Sequence, residues 1–277
     1  MKKITKNTLI SVAIVIIVAT AFILFAQSNI GEISDQVGQT PTSAPETVSP
    51  NALYSLQNHS HNIYSGKINQ QEILMDIFRD GDCLTVSYVN KNSEDEIGGK
   101  NPIIEGVANI NLSQGSKLIA ALHIDGNQNF SDGLHAKISM SANNKAFDIV
   151  LATQYSISGQ TEDDRYIFNK TQVETMAHNI KQDIVAGNKT ALSKLIAYPL
   201  TVTIENKKYT YKNSTEFLNG YSKIITNNFL FVMSNAYTKF MFNNYNGIMV
   251  GSGNNNIWFT KNADNNKFQI VGINISG

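Results

Sequence analysis

Residues 71–89, QEILMDIFRDGDCLTVSYV, contain two runs rich in apolar and β-branched residues, separated by the turn sequence Asp80-Gly81-Asp82. A glycine flanked by aspartates between two such runs is typical of a tight β-hairpin. The stretch therefore predicts two antiparallel strands, over residues 71–79 and 83–89.

The same pattern extends outward from this hairpin over residues 62–151. Short apolar segments recur at intervals of roughly ten residues, broken by Gly, Asn and Asp, which is the usual sign of a sandwich or barrel. Further strands are predicted over residues 62–68, 103–110, 117–124, 134–139 and 146–151. Residues 54–160 are accordingly interpreted as an all-β meander or barrel domain.

Four short runs in this half, at residues 64–68, 73–77, 84–88 and 104–108, resemble the strands of small lipocalin-like β-meander domains of exported bacterial proteins. The resemblance covers about 100 residues and implies a sheet with a core on one side. It implies no particular binding site.

The second half changes to a helical period at residues 170–186. Apolar residues at helical spacing predict a helix there, and Thr171 with Glu174 forms a capping-box pattern at its start. Further helices are predicted over residues 189–197 and 214–224. Strands are predicted over residues 200–204, 209–212, 247–251, 255–260 and 267–275.

The runs at residues 196–202, 217–221 and 246–253, leading to 257–259, resemble the NTF2-like (cystatin-like) fold. In that fold a curved sheet wraps around helices and leaves a pocket. The resemblance implies a cone-shaped α+β domain over residues 164–277. The predicted fold class is then α+β overall, with an N-terminal transmembrane helix, an all-β domain and this cone.

The residues available for chemistry in the cone favour binding over catalysis. Acid/base members of the resembled family pair an Asp with a His or Tyr, but residues 206–262 hold neither Asp nor His, and Glu216 is their single carboxylate. Glu216 falls in the first turn of a predicted helix, where capping explains it. Neither a catalytic residue nor a cofactor is predicted, and whether the protein is an enzyme stays open.

A mainly apolar lining is predicted for the pocket. The alternative is that these side chains simply fill the cone. The predicted ligand-binding residues are Tyr198, Tyr221, Phe240, Tyr245, Met249 and Trp258, with Phe242 beside them.

Two histidines, His59 and His61, would face the same way on an extended segment and could share a metal ion. Because no third ligand accompanies them in the sequence, no metal site is predicted. Cys83 is the only cysteine, which excludes an internal disulfide.

Residues 8–26, TLISVAIVIIVATAFILFA, are apolar and free of charge, and they follow Lys2, Lys3 and Lys6. A run of this length spans a bilayer core as a helix, and the lysines place the N-terminus inside. The sequence predicts a cytoplasmic stub (1–7), a single-pass anchor at the cell membrane (8–26), a Pro/Ser/Thr tether (27–53) and extracytoplasmic domains. A cleaved signal peptide is the alternative.

The formal net charge is zero, but residues 54–163 carry 7 Lys/Arg against 13 Asp/Glu, and residues 164–277 carry 12 against 6. No dense basic patch is present, so nucleic acid is not a predicted partner. We predict a membrane-tethered extracytoplasmic binding or interaction protein whose partner is an envelope protein, a peptide or a small neutral ligand. Two alternatives stay open: an envelope enzyme using His178 as acid/base with a carboxylate from the acidic half, or a self-associating component of an envelope assembly.

Overall fold

Two β-sheets account for most of the structure, a computed structural model that describes residues 56–91 and 93–276. The predicted stub, membrane anchor and tether, residues 1–53, lie outside the described residues. Within the described part of the chain, no helix is long and apolar enough to cross a membrane.

Eight antiparallel strands, paired in sequence order, close into a barrel when the last strand pairs with the first. The predicted β-barrel is therefore confirmed. The strands are β1 (Ser60–Ile68), β2 (Gln71–Asp80), β3 (Cys83–Asn90), β4 (Glu96–Ile104), β5 (Val107–Gln114), β6 (Lys117–Asp125), β7 (Leu134–Met140) and β8 (Lys145–Ser158). A 3-10 turn at Phe130–Asp132 precedes β7. We call residues 60–158 the barrel.

The interior of the barrel is filled by alternate side chains of its strands. Met75 and Ile77 of β2 and Leu84 and Val86 of β3 are all fully buried. Successive residues of a strand point to opposite faces, so this period of two directs one apolar set inward.

The predicted strand over residues 103–110 is in fact a hairpin. Glu105 and Gly106 both have positive φ angles, 51° and 76°, as a type I′ turn requires, and they separate β4 from β5. The polar, glycine-containing β4 was not predicted because its place depends on main-chain pairing with β3. Gly99 in β4 has a steric role, since a Cβ there would overlap the main-chain oxygen of Asn111.

Residues 170–275, which we call the C-terminal part, combine four helices with a six-stranded sheet. The sheet order is β10-β9-β14-β13-β12-β11, and only β14 and β9 are parallel among these described pairs. The helices are α1 (Lys170–Val185), α2 (Lys189–Lys194), α3 (Ser214–Ile224) and α4 (Asn227–Ser234). The strands are β9 (Ile196–Ile204), β10 (Lys207–Tyr211), β11 (Asn243–Asn244), β12 (Gly247–Ser252), β13 (Asn255–Lys261) and β14 (Phe268–Ile275).

The capping box predicted for α1 is wrong. Asn169 caps this helix, because its side chain accepts a hydrogen bond from the N–H of Gln172. Glu174 therefore does not cap α1. Its carboxylate is largely buried, and its Oε2 lies 3.9 Å from Nζ of Lys239.

The predicted fold class, α+β overall, is also wrong. About half of the described residues are in strands and about a fifth in helices, so the described chain is mostly β. The prediction underestimated the strands because β4 was missed and β8, predicted to end at residue 151, continues to Ser158. That extension is polar, yet it pairs with β1 to close the barrel.

The described residues belong to one compact unit that contains two main hydrophobic cores. One core fills the barrel, and the other lies between the helices and sheet of the C-terminal part. A small third cluster joins them: Ile63 and Val89 of the barrel pack with Phe240, and Leu74, Tyr155 and Tyr237 surround these three.

Candidate functional site

An open cleft of about 450 Å³ lies beside this third cluster, between the barrel and the C-terminal part. We call it the junction cleft. It is lined by Ser65, Leu74, Gln154, Tyr155, Tyr237, Phe240, Met241, Phe242, Met249, Gly251, Ser252 and Gly253. Its volume lies within the range of small-molecule sites, and none of these side chains is charged.

The barrel wall of the cleft is fixed by Tyr155 on β8. The hydroxyl of Tyr155 donates a hydrogen bond to the main-chain oxygen of Phe240, so its polar end is satisfied within the protein. Burial raises the pKa of Tyr155 well above its ordinary value. Tyr155 is therefore neutral and held in place, and part of its ring lines the cleft.

The opposite wall comes from β12 and the segment before it. The N–H of Met249 donates to the oxygen of Phe242 at 2.9 Å, which holds that segment against the sheet. The ring of Phe242 makes edge-to-face contacts with Tyr155 (centroids 5.4 Å apart) and with Trp258 (6.2 Å). Through Phe242, an aromatic contact therefore joins the two walls of the cleft.

Phe240 forms the base of the cleft and links it to a group of charged side chains. We call this group, Arg165, Asp76, Glu96, Lys170, Glu174 and Lys239, the ionic cluster. The backbone of Phe240 has a positive φ of 52°, which is unusual for a non-glycine residue, and its side chain is fully buried. The guanidinium of Arg165 lies over the Phe240 ring, 4.2 Å from the centroid. A cation–π contact of this kind is strongest when the cation is desolvated, as Arg165 is.

Arg165 connects the barrel to the C-terminal part through carboxylates of the barrel. Its Nη2 lies 3.3 Å from Asp76 Oδ2 and 3.2 Å from Glu96 Oε1. Lys170 of α1 also reaches Glu96, Nζ to Oε1 3.3 Å. Burial alone would raise the pKa of Glu96, but the charges of Arg165 and Lys170 outweigh it and lower this pKa.

Asp76 also accepts a hydrogen bond from His61, whose ring is completely buried. His61 Nδ1 lies 2.9 Å from Asp76 Oδ2, and Nε2 lies 3.1 Å from the main-chain oxygen of Thr161. His61 and Arg165 thus both contact one buried carboxylate, Asp76.

Glu174, like Arg165 and Asp76, has a buried polar atom without a hydrogen-bond partner among the described residues. In Glu174 this atom is Oε1. Burial raises the pKa of Glu174 to about 6, although the charges of Arg165 and Lys239 act in the opposite direction. The cluster is suited to holding the barrel and the C-terminal part together rather than to reacting with a ligand.

The structure brings only some of the predicted ligand-binding residues together. Phe240 and Met249 line the junction cleft, as does Phe242. Trp258 lies behind Phe242, with its ring in edge contact.

The other three predicted residues lie away from the cleft. Tyr198 donates its hydroxyl to the oxygen of Ser193 at 3.2 Å, and Tyr221 packs against Phe217 in the helical core. Tyr245 is 91% exposed in the turn between β11 and β12.

Sequence reasoning missed Leu74, Tyr155 and Tyr237, because the cleft uses barrel residues as one wall. A usable signal existed for Tyr155: the alternation of β8 continues past residue 151, and its long aromatic side chain lies on that extension. For Leu74 and Tyr237 the sequence carries no such signal.

His178 lies at a separate place on the barrel-facing side of α1. Its Nδ1 lies 2.7 Å from Glu94 Oε2, a carboxylate of the acidic half, and Glu94 also accepts from the hydroxyl of Thr238 at 3.0 Å. His178 and Glu94 are both partly exposed. This is the juxtaposition that an acid/base role for His178 requires.

His59 and His61 contact two different carboxylates and do not share a site. His59 pairs with Asp80 at 3.2 Å on the surface, whereas His61 is buried against Asp76. Over residues 56–91 and 93–276, no group of three or more His, Cys, Asp or Glu side chains is arranged to hold a metal ion.

The chain matches no protein family model, no curated protein and no solved structure. The resemblances to lipocalin-like and NTF2-like families therefore stay predictions.

Proposed function

We propose that the protein is a binding or interaction protein that takes a neutral, largely apolar ligand group in the junction cleft. The observation that carries this proposal is the cleft itself: an open, uncharged, mainly apolar concavity between two packed cores. Small-molecule sites are typically concave and mostly apolar, with a few polar groups, as this cleft is.

The lining supports the proposal in its detail. Met249 offers a flexible, polarizable side chain that adapts to different ligand shapes. Tyr155 and Phe242 are held by their own contacts, so little ordering entropy is lost when a ligand packs on them. The lining resembles a pre-formed site.

As part of the same proposal, residues 8–26 anchor the chain in the cell membrane and residues 27–53 carry the remainder into the extracytoplasmic space. The apolar run and the lysines before it support this orientation. The partner is then an envelope protein, a peptide or a small neutral ligand. Thiol labelling of full-length Cys variants on both sides of the membrane checks the orientation: labelling of a Ser276→Cys variant from the cytoplasmic side would contradict it.

Trp258 provides the readout for ligand binding, since it is the only tryptophan and contacts the cleft residue Phe242. We expect a brominated benzyl alcohol to quench Trp258 fluorescence of the full-length protein saturably. A Met249→Lys variant places a charge in the cleft and should abolish the saturable component.

The matched control is Tyr245→Ala, which removes an exposed aromatic residue outside the cleft. The brominated alcohol should quench the Trp258 fluorescence of this variant as it does that of the unmodified protein. Quenching that is linear in the probe for all three proteins contradicts the proposal, because it reports collision without a site.

A second candidate is an envelope enzyme, favoured by the hydrogen bond between His178 and Glu94. A carboxylate that accepts from one ring nitrogen orients the imidazole and leaves the other nitrogen available for proton transfer. Full-length protein should then hydrolyse a member of a panel of esters, amides and glycosides, with loss of activity in His178→Ala and retention in His123→Ala. Turnover that survives His178→Ala excludes this role.

A further inference from the structure

We propose that the occupant of the junction cleft is an extended polypeptide segment, which adds as a strand to the edge of β12. This inference rests on the proposed function and narrows its ligand class. Strand addition is a known mode of peptide recognition, in which main-chain hydrogen bonds provide affinity and pockets for alternate side chains provide specificity.

The edge of β12 is only partly covered. β11 pairs with Gly247 and Ile248, and one further bond joins the N–H of Met249 to Phe242. On that side, no described strand pairs with residues 250–252. The uncovered residues Gly251 and Ser252 are themselves part of the cleft lining.

The direction of the main-chain groups agrees with this arrangement. Met249 directs its N–H away from β13, as its bond to Phe242 shows. Main-chain groups of an antiparallel strand alternate in direction, so Gly251 belongs to the same outward-directed set. An extended segment in the cleft therefore meets both a strand edge and an aromatic wall.

Gly251 has a conformation that belongs to the hairpin of β12 and β13. Its φ is +108°, a conformation that favours glycine, and a Cβ there would overlap the main chain at Asn255 of β13. The glycine therefore allows the close approach of β13, and because it carries no side chain it also leaves the outer edge of β12 uncovered.

The cleft chemistry defines the segment. Its lining has no charged side chain among the described residues, and Tyr155, Tyr237 and Phe242 face the space beside the edge. We infer a neutral segment with apolar or aromatic residues at alternate positions, because strand side chains alternate between the two faces. The segment belongs to a partner polypeptide of the envelope.

The probe is a short acetylated and amidated peptide in which threonine alternates with valine or phenylalanine. Two matched control peptides have the same side chains but are N-methylated at alternate amides, one at the odd positions and one at the even positions. Each control lacks the main-chain donors along one edge, and we call the two patterns the N-methylated registers. Binding to the full-length protein is followed by Trp258 fluorescence and by hydrogen exchange of the Gly251 amide.

We expect the unmodified peptide to bind and to slow exchange at Gly251, and one of the two N-methylated registers to bind roughly tenfold more weakly. Met249→Lys should abolish binding and Tyr245→Ala should not change it. Equal affinity of all the peptides with unchanged Gly251 exchange overturns strand addition but leaves the apolar site of the proposed function intact.

The remaining outcomes separate the two proposals. If the brominated alcohol binds saturably and no peptide does, the peptide class is wrong and the proposed function stands. If neither the alcohol nor any peptide binds, both proposals fail.

Discussion

The hydroxyl of Tyr155, on the last strand of the barrel, donates its hydrogen bond to the main-chain oxygen of Phe240 in the C-terminal part. The bond fixes the residue at the base of the cleft in a left-handed backbone conformation. One contact thus joins the two halves and shapes the candidate site.

Tyr155→Phe should destabilise the protein by about 1–2 kcal/mol, because it leaves the Phe240 oxygen without its partner at a buried position. Urea unfolding measures the change. Tyr245→Phe, at the exposed turn, is the matched control and should leave the free energy of unfolding unchanged. A Tyr155→Phe protein as stable as the original would show that water replaces the bond.

Arg165→Met should cost about 3–5 kcal/mol, since it removes the cation of a buried pair and leaves Asp76 with His61 as its remaining side-chain partner among the described residues. Asp76→Asn in the same background should recover part of that loss, and the double-mutant cycle measures the coupling. Lys137→Met removes an exposed partner of Asp148 and should change stability little. Similar losses for the arginine and lysine variants would contradict a special role for the buried cluster.

Glu174→Gln should stabilise the protein at pH 8 by up to about 2 kcal/mol, because the folded state raises the pKa of Glu174 from 4.5 to about 6. The sign follows from the raised pKa: the favourable contribution of the protonated form is complete below pH 4.5 and is lost as the pH rises through 6. At pH 4 the variant and the original should be equally stable. Thermal unfolding across this range tests the prediction, and a pH-independent difference would count against it.

Gly99→Ala should destabilise the barrel by about 1–3 kcal/mol, because the added methyl group meets the main-chain oxygen of Asn111 and the strands must separate. Gly272→Ala is the control, since its nearest neighbour is Trp258 Cβ at 4.0 Å. Circular dichroism during urea unfolding compares the two variants. A neutral Gly99→Ala would show that β4 can move away from β5 at little cost.

The outcome of the sequence prediction depended on how local each signal was. The hairpin around Gly81 and the strands β12 to β14 could be predicted because alternation and turn chemistry lie within a few residues. The polar strand β4 could not, since it lacks an apolar alternation and its place depends on main-chain pairing with β3. The end of β8 was missed although its alternation continues past residue 151. Helix α4 was missed altogether, and at α1 the cap Asn169 was overlooked in favour of Thr171.

The residues of the candidate site could likewise be predicted only where a local signal was sufficient. Phe240 and Met249 could be proposed as ligand contacts from their apolar and aromatic character, and they do line one cleft. Tyr198 and Tyr221 share that character but are used in local packing. Residue type alone does not distinguish cleft residues from packing residues, because the role of each side chain depends on which other part of the chain packs against it.

By itself, the sequence determined the strands with clear alternation and the main amphipathic helix, since these depend on short-range patterns of hydrophobicity. The tertiary structure alone decided that the barrel closes through β8 and β1, that Arg165 is buried over Phe240, and that Tyr155 faces β12 across a cleft. Each of these brings together residues from about 75 to more than 90 positions apart. Chain closure over such distances is established by the packing of the whole unit, which no local pattern encodes.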